Sequence, residues 1–160
     1  MKQTYRTKGH RVLELATWVL WLIGLLIAIH GIRTLPDEIA THFALDGTPD
    51  GYGSPASLLI LPVLMAFCLG LISIVAHAVP PEYWNMPFPV KKGCEKAVYG
   101  DMLTMVHAIG AEIAGFTVYS QIKSYRQSGT GILPVIGLLF AAIAVTIVLL
   151  CRRALRHNKG

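Results

Sequence analysis

Residues 35–55 read LPDEIATHFALDGTPDGYGSP, and this polar stretch separates two long hydrophobic segments. The pairs Asp46-Gly47 and Asp50-Gly51 are typical of tight turns. So many turn residues close together predict an ordered loop. At the least, such a loop returns the chain from the end of one hydrophobic segment to the start of the next.

Finer signals divide this loop. Residues 34–38 place a proline and two acidic residues as at the start of a helix, which predicts a short helical turn. Residues 39–43 predict a short extended piece. Ser54 followed by Pro55 predicts a helix N-cap with proline at the first helical position. Pro62, one or two turns inside that helix, predicts a kink.

The composition of the whole chain is that of an integral membrane protein. Of its 160 residues, 54% are hydrophobic and only 14% are charged, against about 25% charged in soluble proteins. The mean hydropathy is +0.55. The length suits one membrane domain over residues 1–160 and leaves no room for a separate large soluble domain.

Four hydrophobic runs approach the roughly 20 residues that cross a hydrocarbon core of about 30 Å. The predicted spans are residues 12–32, 56–79, 101–123 and 132–152. The third is the weakest, and we interpret it as a helix buried among the other three, where polar residues are tolerated. The predicted fold class is all-α, an integral membrane four-helix bundle with an ordered extracytoplasmic loop between helices 1 and 2. The alternative is three spans and one interfacial helix.

The basic residues predict the orientation. Of the 14 Lys and Arg residues, all except Arg33, Lys123 and Arg126 lie in the N-terminal segment that includes Lys2, in the loop after the second span, or in the C-terminal tail. Both termini are therefore predicted to be cytoplasmic, which requires an even number of spans. The net charge of +5 is mostly this topology signal, and nucleic-acid binding is not expected.

No motif for catalysis or for a cofactor is present. The chain has no nucleophile elbow, Walker loop or zinc-protease motif. Its three cysteines, Cys68, Cys94 and Cys151, show no zinc-ligand spacing and are expected to be free thiols in apolar surroundings. We therefore expect a protein that is not an enzyme and that holds no metal or cofactor.

The loop supplies the first candidate site. Asp46, Thr48, Asp50 and Gly51 match the first positions of a calcium loop, but its last ligand position is Ser57 rather than an acidic residue. A turn scaffold is therefore preferred to calcium. His42 is expected to fix the loop through a hydrogen bond, the alternatives being a pH sensor or a metal ligand. The candidate binding residues are Pro36, His42, Asp46, Gly47, Asp50, Gly51 and Tyr52.

The third span supplies the second candidate site. Glu112 lies near the middle of this span, where an ionisable group suggests proton or ion coupling. The alternative is a structural Glu112 that is hydrogen-bonded to a neighbouring helix. His107 lies five residues earlier, about 140° away around an ideal helix, so the two do not form one dyad. His77 and His107 are candidates for pairing across helices.

The loop motif also supports a resemblance. Leu35-Pro36, His42-Phe43, Gly47, Pro49-Asp50 and Tyr52-Gly53-Ser54 resemble the signature of a small bacterial membrane domain of unknown function, found at the start of SdpI-like toxin-immunity proteins. The resemblance covers residues 20–125. It implies a bacterial or archaeal cell membrane and no enzymatic activity. Ala40 departs from the family's usual proline, and the immunity proteins continue into a further hydrophobic region.

These observations leave three interpretations open. The first is a non-enzymatic membrane protein whose outer loop recognises an extracytoplasmic peptide or protein, of an immunity or signalling type. The second is a small ion- or proton-coupled transporter, expected to be a homo-oligomer because four helices leave little room for a cavity. The third is a loop that only caps the bundle, with its turn residues serving folding.

Overall fold

The structure, a computed structural model, describes residues 5–159, so Lys2 and its contribution to the predicted orientation lie outside the described residues. Four α-helices make up most of the chain. They are α1 (Lys8–Thr34), α2 (Ile60–Ala78), α3 (Glu95–Tyr125) and α4 (Ile132–His157). All four are long and apolar enough to cross a membrane, which confirms the predicted all-α membrane bundle.

Helix α3 is the centre of the bundle. It packs against each of the other three helices, most extensively against α1 and α4. Its share of buried residues is the highest of the four spans. The prediction that the weakest hydrophobic run is the buried one is therefore confirmed, because a helix surrounded by protein needs less apolar surface than one facing lipid.

Helices α1, α3 and α4 extend beyond their predicted spans, whereas α2 lies within its own. Helix α3 begins at Glu95 rather than at residue 101, and α4 continues to His157. Hydropathy detects only the part of a helix that matches the hydrocarbon core, whereas the polar turns at its ends form the same backbone hydrogen bonds. Just before α3, Gly93 adopts a φ of 92°, a conformation that favours glycine.

The loop between α1 and α2 is a β-hairpin. Strands β1 (Ile39–Phe43) and β2 (Pro49–Gly53) pair antiparallel, so the predicted extended piece is confirmed. The tight turn lies at residues 44–48, where the Ala44 N–H donates to the Thr48 carbonyl over 2.8 Å. The prediction of a turn at Asp50-Gly51 is wrong, since both residues belong to β2.

The predicted helical turn at residues 34–38 is also wrong. Leu35 ends α1 with a ψ of 158° and donates its N–H to the Gly31 carbonyl. The cause is local, because a residue before proline, here Pro36, is disfavoured in the helical conformation. The extended link then carries Ile39 into a buried cluster with Ala28 and Leu58.

The entry into α2 follows the predicted capping. Ser54 Oγ accepts from the Ala56 N–H, and Pro55 opens a 3-10 helix, Pro55–Leu59, that leads into α2. The predicted kink at Pro62 is not required, because Pro62 lies in the first turn of α2, where its missing N–H removes no helical bond. Its carbonyl accepts from Trp21 Nε1 over 2.9 Å.

The segments that connect the helices lie at two opposite ends of the bundle. The hairpin and the α3–α4 turn (residues 126–131) meet at one end, here named the hairpin end. Residues 5–7, the loop after α2 and the last turn of α4 meet at the other, named the termini end, where Tyr5 bonds Glu82 and Asn158 bonds the Lys91 N–H.

Candidate functional site

The hairpin is fixed to the bundle by contacts with distant parts of the chain. Gln127 Oε1 accepts the Ala40 N–H over 2.6 Å. Gly47 has a φ of 87° and lies so close to Gly129 and Thr130 that a Cβ would come within 2.7 Å of the Thr130 backbone nitrogen. Together with the buried Ile39, these contacts make the hairpin a rigid platform.

Several side chains of the hairpin are exposed. We use the name hairpin surface for four of them: His42, Leu45, Asp50 and Tyr52. Leu45 is 85% exposed and Tyr52 is 63% exposed. His42 Nδ1 is hydrogen-bonded to Asp50 Oδ1. An exposed ion pair of this kind contributes about 0–1 kcal/mol to stability, so the hairpin fold is held mainly from its buried side.

Asp46 forms the predicted turn scaffold. Its Oδ1 accepts from the Thr48 N–H over 2.9 Å and from the Thr48 hydroxyl over 2.7 Å. These two hydrogen bonds lower the pKa of Asp46. Within residues 5–159 no group of three or more metal-ligating side chains is assembled.

The other predicted loop residues have separate roles. Pro36 is exposed in the link before β1. Gly51 pairs with His42 in the strand register, and a Cβ at Gly51 would lie 3.0 Å from the Cβ of His42. The structure therefore brings His42, Asp50 and Gly51 together and leaves Pro36 apart from them.

Glu112 and His107 face different helices, as their spacing predicts. Glu112 Oε1 accepts from the Thr146 hydroxyl of α4 over 2.5 Å. Its other oxygen, Oε2, is buried without a partner among the described residues. His107 instead stacks on His10 of α1, with ring centroids 5.9 Å apart. The Thr146 contact favours the interpretation of Glu112 as a group hydrogen-bonded between helices.

A second polar cluster, around Glu14, was not predicted. Glu14 Oε2 accepts from Arg6 Nη2, and Glu14 Oε1 accepts from the Ser73 hydroxyl, each over 2.6 Å. His77 Nε2 lies 3.7 Å from Glu14 Oε1. The side chains of Arg6 and Glu14 are each only 20% exposed. We call Arg6, Glu14, Ser73 and His77 the Glu14 cluster.

The predicted pairing of His77 with His107 takes a different form. His77 bonds the Ser73 carbonyl over 2.7 Å and lies beside Glu14. His107 instead lines a small cavity that Glu14 also lines. Glu14 therefore lies beside His77 and shares a cavity with His107.

Further polar contacts at the termini end hold the helix ends together. Asp101 is buried and pairs with Arg153 Nε over 3.0 Å and with His157 Nδ1 over 2.7 Å. Tyr5 donates to Glu82 over 2.6 Å, and this hydrogen bond, with burial, raises the pKa of Tyr5 to about 12.

One sequence signal could have found the Glu14 cluster. Glu14 lies at the start of the first predicted span, residues 12–32, and is its only charged residue. Such a residue is normally assigned to the interface. Only helix packing shows that Ser73, which is 59 residues away, and His77, on the same helix as Ser73, turn towards it.

Comparisons with known proteins match part of the chain. Residues 19–66 match a family described as a domain of unknown function (DUF1648). An uncharacterized protein of the archaeon Archaeoglobus fulgidus is 38% identical over 79 residues, which are 46% of this chain and 41% of that relative. The matched region therefore spans less than half the length of the relative. No solved structure matches.

Proposed function

We propose that this membrane protein is not an enzyme and that its hairpin surface recognises an extended peptide or protein segment on the outer side of a bacterial or archaeal cell membrane. The observation that carries this proposal is the hairpin itself. It is held rigidly on its inner side, while Leu45 and Tyr52 remain largely exposed. Rigid exposed side chains lose little conformational entropy when a partner binds.

The chemistry of the surface suggests what kind of partner it takes. Tyr52 and Leu45 offer apolar contact area, and tyrosine is enriched at the centres of interfaces. The His42–Asp50 pair lies in the same hairpin and offers both a donor and an acceptor for the partner's backbone or polar side chains. An extended segment with an apolar side chain next to a polar one suits such a surface.

The outer location rests on the distribution of basic residues. The hairpin end carries Arg33, Lys123 and Arg126, whereas the other basic residues among residues 5–159 lie towards the termini end. The positive-inside rule then places the termini end in the cytoplasm. An immunity or signalling role, as in the SdpI-like proteins that the loop resembles, is one specific form of this proposal.

Photo-crosslinking in intact cells tests the proposal. A photoreactive amino acid replaces Tyr52 or Leu45, and the control position is Phe140, which is exposed on α4 within a span. We expect one adduct of defined mass from both hairpin positions and none of that mass from Phe140. The adduct should weaken when Asp50→Ala or His42→Ala is added.

Two results would overturn the proposal. Adducts of the same mass from the hairpin and from Phe140 would indicate lipid or chance contacts. Unchanged adducts in His42→Ala and Asp50→Ala, with unfolding midpoints equal to wild type, would show that the pair takes no part in recognition. Labelling a cysteine placed at position 48 with an impermeant reagent, against one at the C-terminus, tests the orientation separately.

A second candidate function is proton or ion coupling through the bundle, and Glu112 favours it. Its Oε2 is buried between α3 and α4 without a partner among the described residues. A carboxyl group in a membrane span is energetically costly, so its presence suggests a function. The test compares proton or ion flux into liposomes that contain the wild-type protein, liposomes that contain Glu112→Gln, and empty liposomes. A wild-type flux above that of empty liposomes, and a lower flux in Glu112→Gln, would support coupling. Equal flux in the three samples would reject it.

A further inference from the structure

A small cavity lies among α1, α2 and α3, beside the Glu14 cluster. Its volume is about 20 Å³, and its polar lining is Glu14, Thr17, Ser73 and His107. On this measure a water molecule needs about 10–15 Å³. The cavity therefore suits one water molecule and is too small for an organic ligand.

His107 makes the cavity more than a packing defect. This residue is only 5% exposed, and its Nε2 has no hydrogen-bond partner among residues 5–159. A buried polar atom without a partner costs about 1–3 kcal/mol. The contrast with His10 is informative, because His10 Nε2 meets Thr104 Oγ1 at 2.8 Å and the Gly100 carbonyl at 3.1 Å.

The other polar atoms of the lining can complete the site. The Thr17 hydroxyl donates to the Leu13 carbonyl over 2.9 Å, so its oxygen still has a free lone pair. The Glu14 Oε1 atom accepts from Ser73 and has a second lone pair. With His107 Nε2, these atoms supply the two to four polar partners that a buried water requires.

We propose that this cavity binds one water molecule, which hydrogen-bonds His107 Nε2 and connects it to Glu14. The connection continues outward, because half-exposed His77 lies 3.7 Å from the same carboxylate. The site therefore joins a buried imidazole to solvent at the termini end. Protonated His107 can pass its Nε2 proton to the water while the water passes one of its own protons to the Glu14 carboxylate, so the water is restored and one proton has moved from His107 to Glu14.

A cation fits the cavity less well than water does. Hard cations such as calcium take six to eight oxygen ligands, and this lining includes an imidazole nitrogen. The Glu14 carboxylate is also neutralised by Arg6 at 2.6 Å. A neutral molecule that both donates and accepts matches the lining.

Towards the hairpin end α1 and α3 pack closely. Gly24 of α1 is buried, and a Cβ there would lie 3.6 Å from Thr117 Cγ2 of α3. The water site is independent of any recognition by the hairpin, because none of the residues that line the cavity belongs to the hairpin.

Solid-state NMR on the full chain in lipid bilayers, with ¹⁵N-labelled histidine, tests the proposal. Polarisation is transferred from water to the ring nitrogens, and His107→Gln identifies the signals of His107. His42, which is exposed, is the positive control, and His10, whose Nε2 has protein partners, is the negative control. We expect His107 to receive water polarisation several-fold faster than His10.

Two variants of α3 form a matched pair, of which one adds a methyl group to the cavity and the other adds a methyl group elsewhere. A Cβ at Gly110, which lines the cavity, would make ordinary contacts of 3.8 Å with Thr17, whereas a Cβ at Gly115 on the same helix meets nothing within 4 Å. We expect Gly110→Ala to slow the transfer to His107 several-fold and Gly115→Ala to leave it unchanged.

Transfer to His107 as slow as to His10 in the wild-type protein would overturn the proposal without reference to any variant. So would equal transfer in wild type and in a folded Gly110→Ala protein, since the water would then reach His107 by another route.

Discussion

The hairpin end and the termini end each place a histidine beside a carboxylate, and they do so in opposite environments. The His42 side chain is 74% exposed and pairs with Asp50 within one hairpin. Glu14 is 20% exposed and joins groups from two helices. Solvent screens the first pair, whereas the second lies where an unpaired charge is costly. The same residue types therefore form part of an exposed surface at the hairpin end and hold helices together at the termini end.

The largest expected effect concerns the platform beneath the hairpin surface. Gly47→Ala should destabilise the protein by about 3 kcal/mol, because a positive φ and a backbone clash act together. The control is Gly93→Ala, which has a φ of 92° but nothing within 4 Å of its Cβ, and which should cost about 1 kcal/mol. Unfolding by denaturing detergent, followed by tryptophan fluorescence, measures both. Equal losses would mean that the hairpin is not held against the α3–α4 turn.

The next effect tests cohesion at the termini end. Glu14→Ala should cost about 2–3 kcal/mol, because it leaves Arg6 and Ser73 without their shared acceptor in a poorly solvated place. His77→Ala, which removes the group 3.7 Å from Glu14 and an exposed hydrogen bond to the Ser73 carbonyl of the same helix, should cost less than about 1 kcal/mol. The same unfolding measurement ranks the two. A smaller loss in Glu14→Ala than in His77→Ala would contradict the role given to Glu14.

A smaller effect is expected from breaking the exposed pair. Asp50→Ala and His42→Ala should each change stability by less than about 1 kcal/mol, because the pair is screened by solvent. Their double variant shows whether the pair contributes at all. A loss as large as that of Glu14→Ala would mean that His42 and Asp50 hold the hairpin and are not free for a partner.

The smallest effects on stability should appear at the extremes of pH, one as the pH falls into the acid range and the other as it rises into the alkaline range. The lowered pKa of Asp46 contributes stability above its ordinary value of 3.8, and this contribution is lost as the pH falls. The raised pKa of Tyr5 contributes stability below 10.0, and this is lost as the pH rises towards about 12. Unfolding midpoints against pH should be flatter in acid for Asp46→Asn and flatter in alkali for Tyr5→Phe. Curves parallel to wild type would contradict these assignments.

Local and periodic features were predictable from the chain. Long apolar runs report spans because the hydrocarbon core sets their length, and Asp46 reports its turn because its side chain bonds a backbone only two residues away. The wrong predictions also came from local sequence signals. Asp50-Gly51 looks like a turn pair, yet the strands' pairing register places both residues in β2.

The apolar pattern of the chain was enough to predict four helices that are long and apolar enough to cross a membrane and an ordered segment that joins the first two. It could not determine which residues of α1, α2 and α3 face one another, because each helix has several faces and the apolar pattern of a membrane span does not distinguish them. Helix packing alone brings Glu14 to Ser73, encloses the cavity beside His107, and places Gly129 and Thr130 under Gly47. These contacts join residues far apart in sequence, so only the tertiary structure could decide them.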